Sequence, residues 1–301
     1  MSARLDLLKP ILSLYKRRFT VLDLGAGVND PTLGREISQA FDAVVVEVEQ
    51  NWLPAPTGPR TIVLRHAFTI DELERLSRCE HFDVVLAFNI IHWFGTRWRE
   101  AAQAVLGMGD YVFTQIPCEA DMDSEGFKDA WPESWTEVPA MLRYFRNGCA
   151  HLGDTAQFPG HPPRPVYLTK NKVKHLTATT LNPPYNDADI AVLSTHKGIQ
   201  GSFLHKKPRE HREWIPGINL WNFCQLGGAV PAREKVLEML NAIPLPEKQH
   251  GDIQPWNMIL DGERLHLIDE APGKVDLSFA SDADQLNDAV KRVREELTRL
   301  L

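Results

Sequence analysis

An apolar run that ends in an acid and two closely spaced glycines lies near the start of the chain, where residues 21–30 read VLDLGAGVND. A strand that stops in such a turn before a helix brings backbone N–H groups and a helix N-terminus up to a bound ligand, and larger side chains than glycine would block that approach. The turn therefore predicts a nucleotide-type pocket at the end of the first strand.

The residues after the turn complete a βαβ pattern. Pro31 suits the first position of a helix, and apolar residues recur on one helical face at Leu33, Ile37 and Phe41. A second apolar run, at residues 43–48, contains Glu47, whose carboxylate could accept hydrogen bonds from both hydroxyls of a ribose. The distance from Asp23 to Glu47 fits the spacing of a nucleotide-binding unit of this kind.

These motifs resemble those of the class I S-adenosylmethionine-dependent methyltransferases, and they occur in that family's order over residues 20–95. The resemblance implies that the methyl donor is bound by Glu47 and, in and beside the glycine turn, by Asp23, Gly25, Ala26 and Gly27. Residues 82–94 are similar to the family's fourth strand and the loop facing the donor, which adds Asn89. Two departures stand out: Asn29 replaces a third glycine, and His66 stands where many relatives carry an acid that contacts adenine.

Five apolar runs, at 20–24, 43–48, 61–65, 82–88 and 110–116, alternate with helical patterns. This alternation is typical of a parallel sheet covered on both faces. We therefore predict an α/β fold in which residues 1–172 form a doubly wound Rossmann-like methyltransferase sheet. The resemblance further implies a substrate-covering insert and two antiparallel edge strands, for which 150–158 and 165–169 are the candidates.

His92 is the candidate catalytic base of this first half. A neutral imidazole could accept a proton from an acceptor hydroxyl or amine near neutral pH. The alternative is that His92 and Trp93 only pack against the end of the sheet, because methyl transfer can proceed largely through alignment of the reacting atoms.

The second half carries a different motif. Residues 250–260 read HGDIQPWNMIL, followed by LHLID at 265–269, and this resembles the catalytic segment of aminoglycoside-phosphotransferase-like kinases. The resemblance implies that Asp252 is a base, that Asn257 and Asp269 are metal ligands, and that Mg²⁺ and ATP bind there. Residues 173–301 are thus predicted to form a small α+β kinase-like domain, minimal or degenerate, because no glycine-rich GxGxxG loop precedes the motif.

Composition narrows the function classes. The 301 residues carry a formal net charge of −7, which disfavours nucleic acid as a partner. The four cysteines are isolated, which argues against a zinc site. No apolar run is long enough for a transmembrane segment, and the first residues lack a signal-peptide core, so we predict a cytoplasmic protein. The sequence does not determine the oligomeric state.

Together these features predict a methyltransferase that acts on a small hydroxyl compound, a sugar or a glycan terminus and is bifunctional with a phosphotransferase. The alternative is a methyltransferase-fold protein whose kinase-like half is a non-catalytic module that binds a nucleotide or a partner.

Overall fold

The computed structural model describes residues 2–27, 32–51, 60–123, 125–156, 160–171, 215–226, 230–243, 253–267 and 282–299. All structural statements below concern these residues. Among the helices within these ranges, none combines the length and the apolar character needed to cross a bilayer.

A mostly parallel seven-stranded sheet organises the first half of the chain. Its strand order is β3-β2-β1-β4-β5-β7-β6. The first five strands run parallel, and β7 is antiparallel to both β5 and β6. The strands are β1 Phe19–Leu24, β2 Ala43–Glu49, β3 Thr61–Arg65, β4 Phe82–Phe88, β5 Gly109–Gln115, β6 Ala150–Thr155 and β7 Arg164–Lys170. The predicted α/β sheet and its antiparallel edge strands are confirmed.

Helices cover both faces of this sheet, and every residue of the central strands β1, β2 and β4 is therefore buried. Val21 packs into one hydrophobic cluster with α1, whereas its neighbour Leu22 packs into the cluster on the other face with α3 and α4. The helices in this half are α1 Ala3–Leu12, α2 Leu33–Ala40, α3 Ile70–Cys79, α4 Trp98–Leu106, α5 Glu119–Met122, α6 Glu125–Ala130, α7 Pro132–Trp135 and α8 Val138–Gly148.

Helix α2 begins later than the sequence pattern suggests. The Thr32 hydroxyl accepts a hydrogen bond from the Arg35 N–H, which makes Thr32 the N-cap and Leu33 the first helical residue. The predicted helix start at Pro31 is therefore wrong, and Pro31 itself lies outside the described residues.

The described part of the second half contains a small antiparallel sheet in the order β10-β9-β8. Its strands are β8 Ile218–Asn219, β9 Met258–Leu260 and β10 Leu265–Leu267, and the helices around it are α9 Leu220–Gln225, α10 Val230–Asn241 and α11 Asp282–Arg299. Strands β9 and β10 form an antiparallel hairpin that turns at Asp261 and Gly262: Gly262 has φ of 88°, and the Asp261 carboxylate accepts two backbone N–H bonds from Glu263 and Arg264.

This small sheet packs against the amino ends of the large sheet's strands. The Gly217 N–H donates to the Thr20 hydroxyl at the start of β1, at 2.8 Å. The Asn219 N–H donates at 3.2 Å to the carboxylate of Glu80, which precedes β4. Phe223 and Leu260 share a hydrophobic cluster with residues of the large sheet. The predicted division at residues 172 and 173 lies outside the described residues.

Candidate functional site

A cavity of about 380 Å³ opens at the carboxyl ends of strands β1 to β4. Four segments line it: the glycine turn at Gly25 and Gly27, Val48–Asn51 at the end of β2, His66–Phe68 after β3, and, at and beyond the end of β4, Phe88, Asn89, Ile90, Trp93 and Phe94. The chain runs from β1 outward to β2 and β3, and then returns to place β4 on the other side of β1. Such a reversal of strand order opens a crevice that commonly binds ligands.

The glycine turn closes one wall of this cavity. Gly25 and Gly27 have φ of 68° and 80°, a backbone region that glycine adopts without strain. The Gly25 and Ala26 N–H groups donate to the Val48 carbonyl oxygen at 2.9 and 3.2 Å, which fixes the turn against the end of β2. Gly25 and Gly27 therefore face the cavity, whereas the Ala26 N–H is used within the fold.

The two acids of β2 occupy different environments. Glu47, the predicted ribose acid, is 0% exposed; its carboxylate accepts a hydrogen bond from the Thr32 hydroxyl and pairs with Arg35 at 3.4 Å. Glu49, the last residue of β2, lines the cavity instead. Its carboxylate accepts hydrogen bonds from the Gly27 N–H at 2.9 Å and the Asn51 N–H at 3.1 Å. The structure thus corrects the sequence-based placement: the cavity acid is Glu49, not Glu47.

Glu47 is buried because it lies beside Asp23 and under α2. Asp23 and Glu47 are register partners on β1 and β2. A Cβ on Gly34 would lie 3.1 Å from a carboxylate oxygen of each, so this glycine allows α2 to cover both acids. Asp23 accepts the Gly34 N–H at 3.1 Å. Burial, and then the nearby Glu47 carboxylate, raise the pKa of Asp23 to about 7. Asp23 is thus a buried residue of β1, two positions before the glycine turn, and does not line the cavity.

Asn89 lines the cavity at the end of β4 in a left-handed conformation, with φ of 59°. Its amide nitrogen donates to the Gln115 side chain at 3.0 Å, and its amide oxygen accepts from Arg164 at 2.8 Å. Arg164 also donates two bonds to the Asp121 carboxylate, at 2.9 and 2.7 Å. Sequence reasoning missed Gln115, Arg164 and Asp121. The sequence offered two signals for them: Gln115 is a polar residue at the end of an apolar run, and Arg164 begins an edge strand.

His92 lies behind the cavity wall. It is 1% exposed, and its ring centroid lies 5.5 Å from Phe127 and 5.0 Å from Trp131. Burial, together with the nearby Arg164 guanidinium, lowers the pKa of His92 to about 3. A neutral, enclosed imidazole of this kind favours the packing alternative over the role of catalytic base.

His66 occupies the cavity wall after β3. Its Nε2 atom lies 3.1 Å from the Glu72 carboxylate, and its ring contacts Phe68 edge-on at a centroid distance of 5.0 Å. Burial opposes ionisation of Glu72, but hydrogen bonds from His66 and Thr69 lower its pKa to about 2. This fixed imidazole and the Phe68 ring offer a polar edge and an apolar face to a flat ligand.

The predicted phosphotransferase residues lie elsewhere. Asp252 and Asp269 fall outside the described residues. Asn257 is 1% exposed and precedes β9, in the small sheet at the opposite end of the large one. Within the described ranges, no group of three or more histidine, cysteine, aspartate or glutamate side chains could hold a metal ion. The assignments of Asn257 and Asp269 to Mg²⁺, and of Asp252 to catalysis, stay predictions.

No model of a known protein family and no curated protein matches this chain. Solved structures do match, over 56% of the chain in each of three cases. Magnesium protoporphyrin IX methyltransferase from Synechocystis, with bound SAM, is 12% identical, has a TM-score of 0.35 and is covered over 77% of its length. A plantazolicin methyltransferase in complex with SAH is 12% identical, with a TM-score of 0.39 and 82% of its chain covered.

A putative RNA methyltransferase from Pyrococcus horikoshii is 13% identical, with a TM-score of 0.36 and 81% of its chain covered. These similarities concern the Rossmann-like first half and do not extend to a kinase-like segment. At such identities and TM-scores they assign no family, site or substrate to this chain.

Proposed function

We propose that this protein is an S-adenosylmethionine-dependent methyltransferase that acts on a small molecule. The observation that carries the proposal is the cavity at the β1–β4 reversal, where a left-handed glycine turn and the Glu49 carboxylate face the same space. The cavity volume of about 380 Å³ lies within the range of small-molecule sites, about 300–1,000 Å³.

The residues around the cavity fit the parts of this donor. Glu49 would accept a hydrogen bond from a ribose hydroxyl, because Oε1 already accepts two bonds from Asn51 whereas Oε2 accepts one, from the Gly27 N–H, and keeps a second acceptor position. Phe68 and His66 would hold the adenine. Asn89 would border the reactive end of the donor at the crevice between β1 and β4.

The donor supplies an electrophilic methyl group on a sulfonium. The protein's contribution is to hold donor and acceptor in line, which removes much of the entropic barrier to the transfer. Asn89 is suited to this role because Gln115 and Arg164 fix its side chain. The acceptor atom forms a bond to the methyl carbon as the bond from carbon to sulfur breaks, and S-adenosylhomocysteine leaves.

Calorimetry with S-adenosylhomocysteine tests this proposal on a matched pair of acids. We expect Glu49→Gln to weaken binding by about 1–3 kcal/mol, roughly 5- to 150-fold in Kd, because it removes a charged hydrogen-bond acceptor from the cavity. Glu47→Gln should lower stability by leaving Arg35 without its carboxylate partner, yet the folded protein should bind within about twofold of the parent.

The reverse pattern, in which only Glu47→Gln weakens binding, would restore Glu47 as the ribose acid. Parent protein that binds neither S-adenosylmethionine nor S-adenosylhomocysteine would refute the methyltransferase proposal itself.

The phosphotransferase part of the sequence-based prediction rests on the motif and the hairpin between β9 and β10. Its test is calorimetry with Mg-ATP on the same preparation. Binding that is lost in Asp269→Asn would support it, whereas the absence of binding by the parent protein would leave a methyltransferase with a non-catalytic second half.

A further inference from the structure

Trp93 is a large aromatic side chain that remains 46% exposed while lining the cavity. Most large apolar side chains in the described residues are buried, and Leu14, just after α1, is another that is exposed. The Trp93 ring lies 5.8 Å from Trp131, at an interplanar angle of 40°. A half-exposed aromatic ring in a cavity wall is well suited to contact the face of a ligand.

The polar groups of the cavity lie at its other side. Glu49 ends β2, Gln50 and Asn51 follow it, and His66 follows β3. The β4 side presents Phe88, Ile90, Trp93 and Phe94. Its one amide, Asn89, already bonds to Gln115 and Arg164 through both of its polar atoms.

This asymmetry separates a donor side from an acceptor side. A sugar buried on the β4 side would bring several hydroxyls with few partners, and each unpaired hydroxyl costs free energy on burial. An aromatic ring needs no such partners and gains contact area against Trp93. The β4 side therefore fits a flat ring better than the sugar or glycan terminus expected from the sequence.

The chemistry of the β4 side agrees with its shape. An alcohol needs a general base to become a good nucleophile, but His92 is enclosed behind the wall and Asp121 is held in a two-bond pair with Arg164. A ring nitrogen attacks through its own lone pair and needs no protein base at that step.

We propose that the methyl acceptor is a planar nitrogen heteroaromatic compound that stacks on Trp93 and attacks through a ring nitrogen. This inference rests on the proposed function. The nitrogen lone pair forms the new bond to the methyl carbon, the carbon–sulfur bond breaks, and its electron pair stays on sulfur. The attacking nitrogen carries no hydrogen; where another ring nitrogen of the acceptor carries one, as in benzimidazole, the methylated cation loses that proton to water afterwards.

The experiment begins with protein saturated with S-adenosylhomocysteine, so that donor-site binding is established separately. This complex is titrated with a panel of nitrogen heteroaromatics, including benzimidazole, quinoline and adenine, and with a panel of methyl glycosides. We expect saturable binding by members of the first panel. Trp93→Ala should weaken that binding by at least about fivefold, and Trp93→Phe should retain most of it, since stacking needs an aromatic face.

Leu14→Ala is the control for loss of an exposed apolar side chain. It should leave the affinities for S-adenosylhomocysteine and for the heteroaromatic compounds unchanged. Failure of the parent protein to bind S-adenosylhomocysteine would refute the proposed function. Donor-site binding combined with no heteroaromatic binding, with glycoside binding instead, or with heteroaromatic binding that is indifferent to Trp93→Ala would overturn the acceptor inference alone.

Discussion

The two ends of the large sheet are built in opposite ways. At the carboxyl ends of the strands the backbone turns through left-handed residues, Gly25, Gly27 and Asn89, around an open cavity. At the amino ends the chain is closed by the small sheet, with direct hydrogen bonds from Gly217 to Thr20 and from Asn219 to Glu80. The carboxyl ends of the strands therefore border a cavity, whereas the small sheet packs against their amino ends.

The carboxyl end contains features that lower the free energy of unfolding, whereas the amino end contains features that raise it. The carboxyl end buries two neighbouring acids, Asp23 and Glu47, and holds Asn89 at positive φ. Such arrangements persist when the surrounding structure holds them in place, and they concentrate at functional sites. At the amino end, Thr20 and Glu80 accept hydrogen bonds from Gly217 and Asn219, and apolar side chains of the two sheets pack together, both of which stabilise the fold.

The first prediction compares one glycine from each end. Gly217 has φ of 143°, and a Cβ there would lie 2.2 Å from the Leu260 carbonyl oxygen. A Cβ on Gly25 would lie 3.3 Å from the Ile90 side chain, at the cavity wall. We expect Gly217→Ala to lower the free energy of unfolding by about 3–5 kcal/mol and to spare ligand affinity.

Gly25→Ala should cost only about 1–2 kcal/mol of stability but weaken S-adenosylhomocysteine binding severalfold. Urea unfolding and calorimetry measure the two effects. Thr20→Val removes the hydroxyl that accepts the Gly217 N–H and serves as a milder variant if Gly217→Ala does not fold. Equal losses of ligand affinity in the Gly25 and Gly217 variants would show that the two ends are not independent.

The second prediction concerns Glu80, which is 1% exposed at the amino end. Its carboxylate accepts bonds from the Asn219 N–H at 3.2 Å and from the Asn222 amide at 3.0 Å. Glu80→Ala should lower the free energy of unfolding by about 2–3 kcal/mol, because it leaves buried donors without an acceptor. Glu238→Ala, on the exposed side of α10, is the control and should change stability by less than about 0.5 kcal/mol.

Ligand affinity of the Glu80 variant is the decisive readout. S-adenosylhomocysteine should bind the folded Glu80→Ala protein as it binds the parent, since the cavity lies at the other end of the strands. A large affinity loss would mean that the amino end also sets the geometry of the cavity.

The sequence predicted the strands well because their apolar runs are continuous, as burial on both sheet faces requires. It misplaced the cavity acid for an equally physical reason. Glu47 and Glu49 are two residues apart, so their side chains leave the strand on the same face, and alternation alone does not separate them. The choice depends on where β2 ends and on Thr32 and Arg35, which reach Glu47 from α2.

The network around Asn89 was beyond local pattern analysis. Arg164 lies 75 residues from Asn89 along the chain, and Asp121 lies 43 residues from Arg164. Only the pairing of β7 with β5, and the position of α5, bring these side chains together. Long-range polar contacts of this kind leave no periodicity in the sequence.

The third prediction tests the electrostatic cost at the cavity end. Burial and the neighbouring Glu47 raise the pKa of Asp23 to about 7. The folded protein therefore holds more protons than the unfolded chain between about pH 4 and pH 7, and its stability falls as the pH rises through that window. An amide in place of this carboxyl does not titrate, so the free energy of unfolding of Asp23→Asn, relative to that of the parent, should be about 2–3 kcal/mol higher at pH 8 than at pH 5.

Urea unfolding of parent and variant at pH 5 and pH 8 provides the measurement. The substituted amide oxygen can still accept the Gly34 N–H, so the bond to α2 is kept. Glu47→Gln supplies the matched test, because it removes the second cause of the raised pKa: it should lower stability overall but flatten the same pH dependence. A pH dependence unchanged by either substitution would mean that the buried acids carry no electrostatic cost, and the contrast between the two ends would then rest on backbone geometry alone.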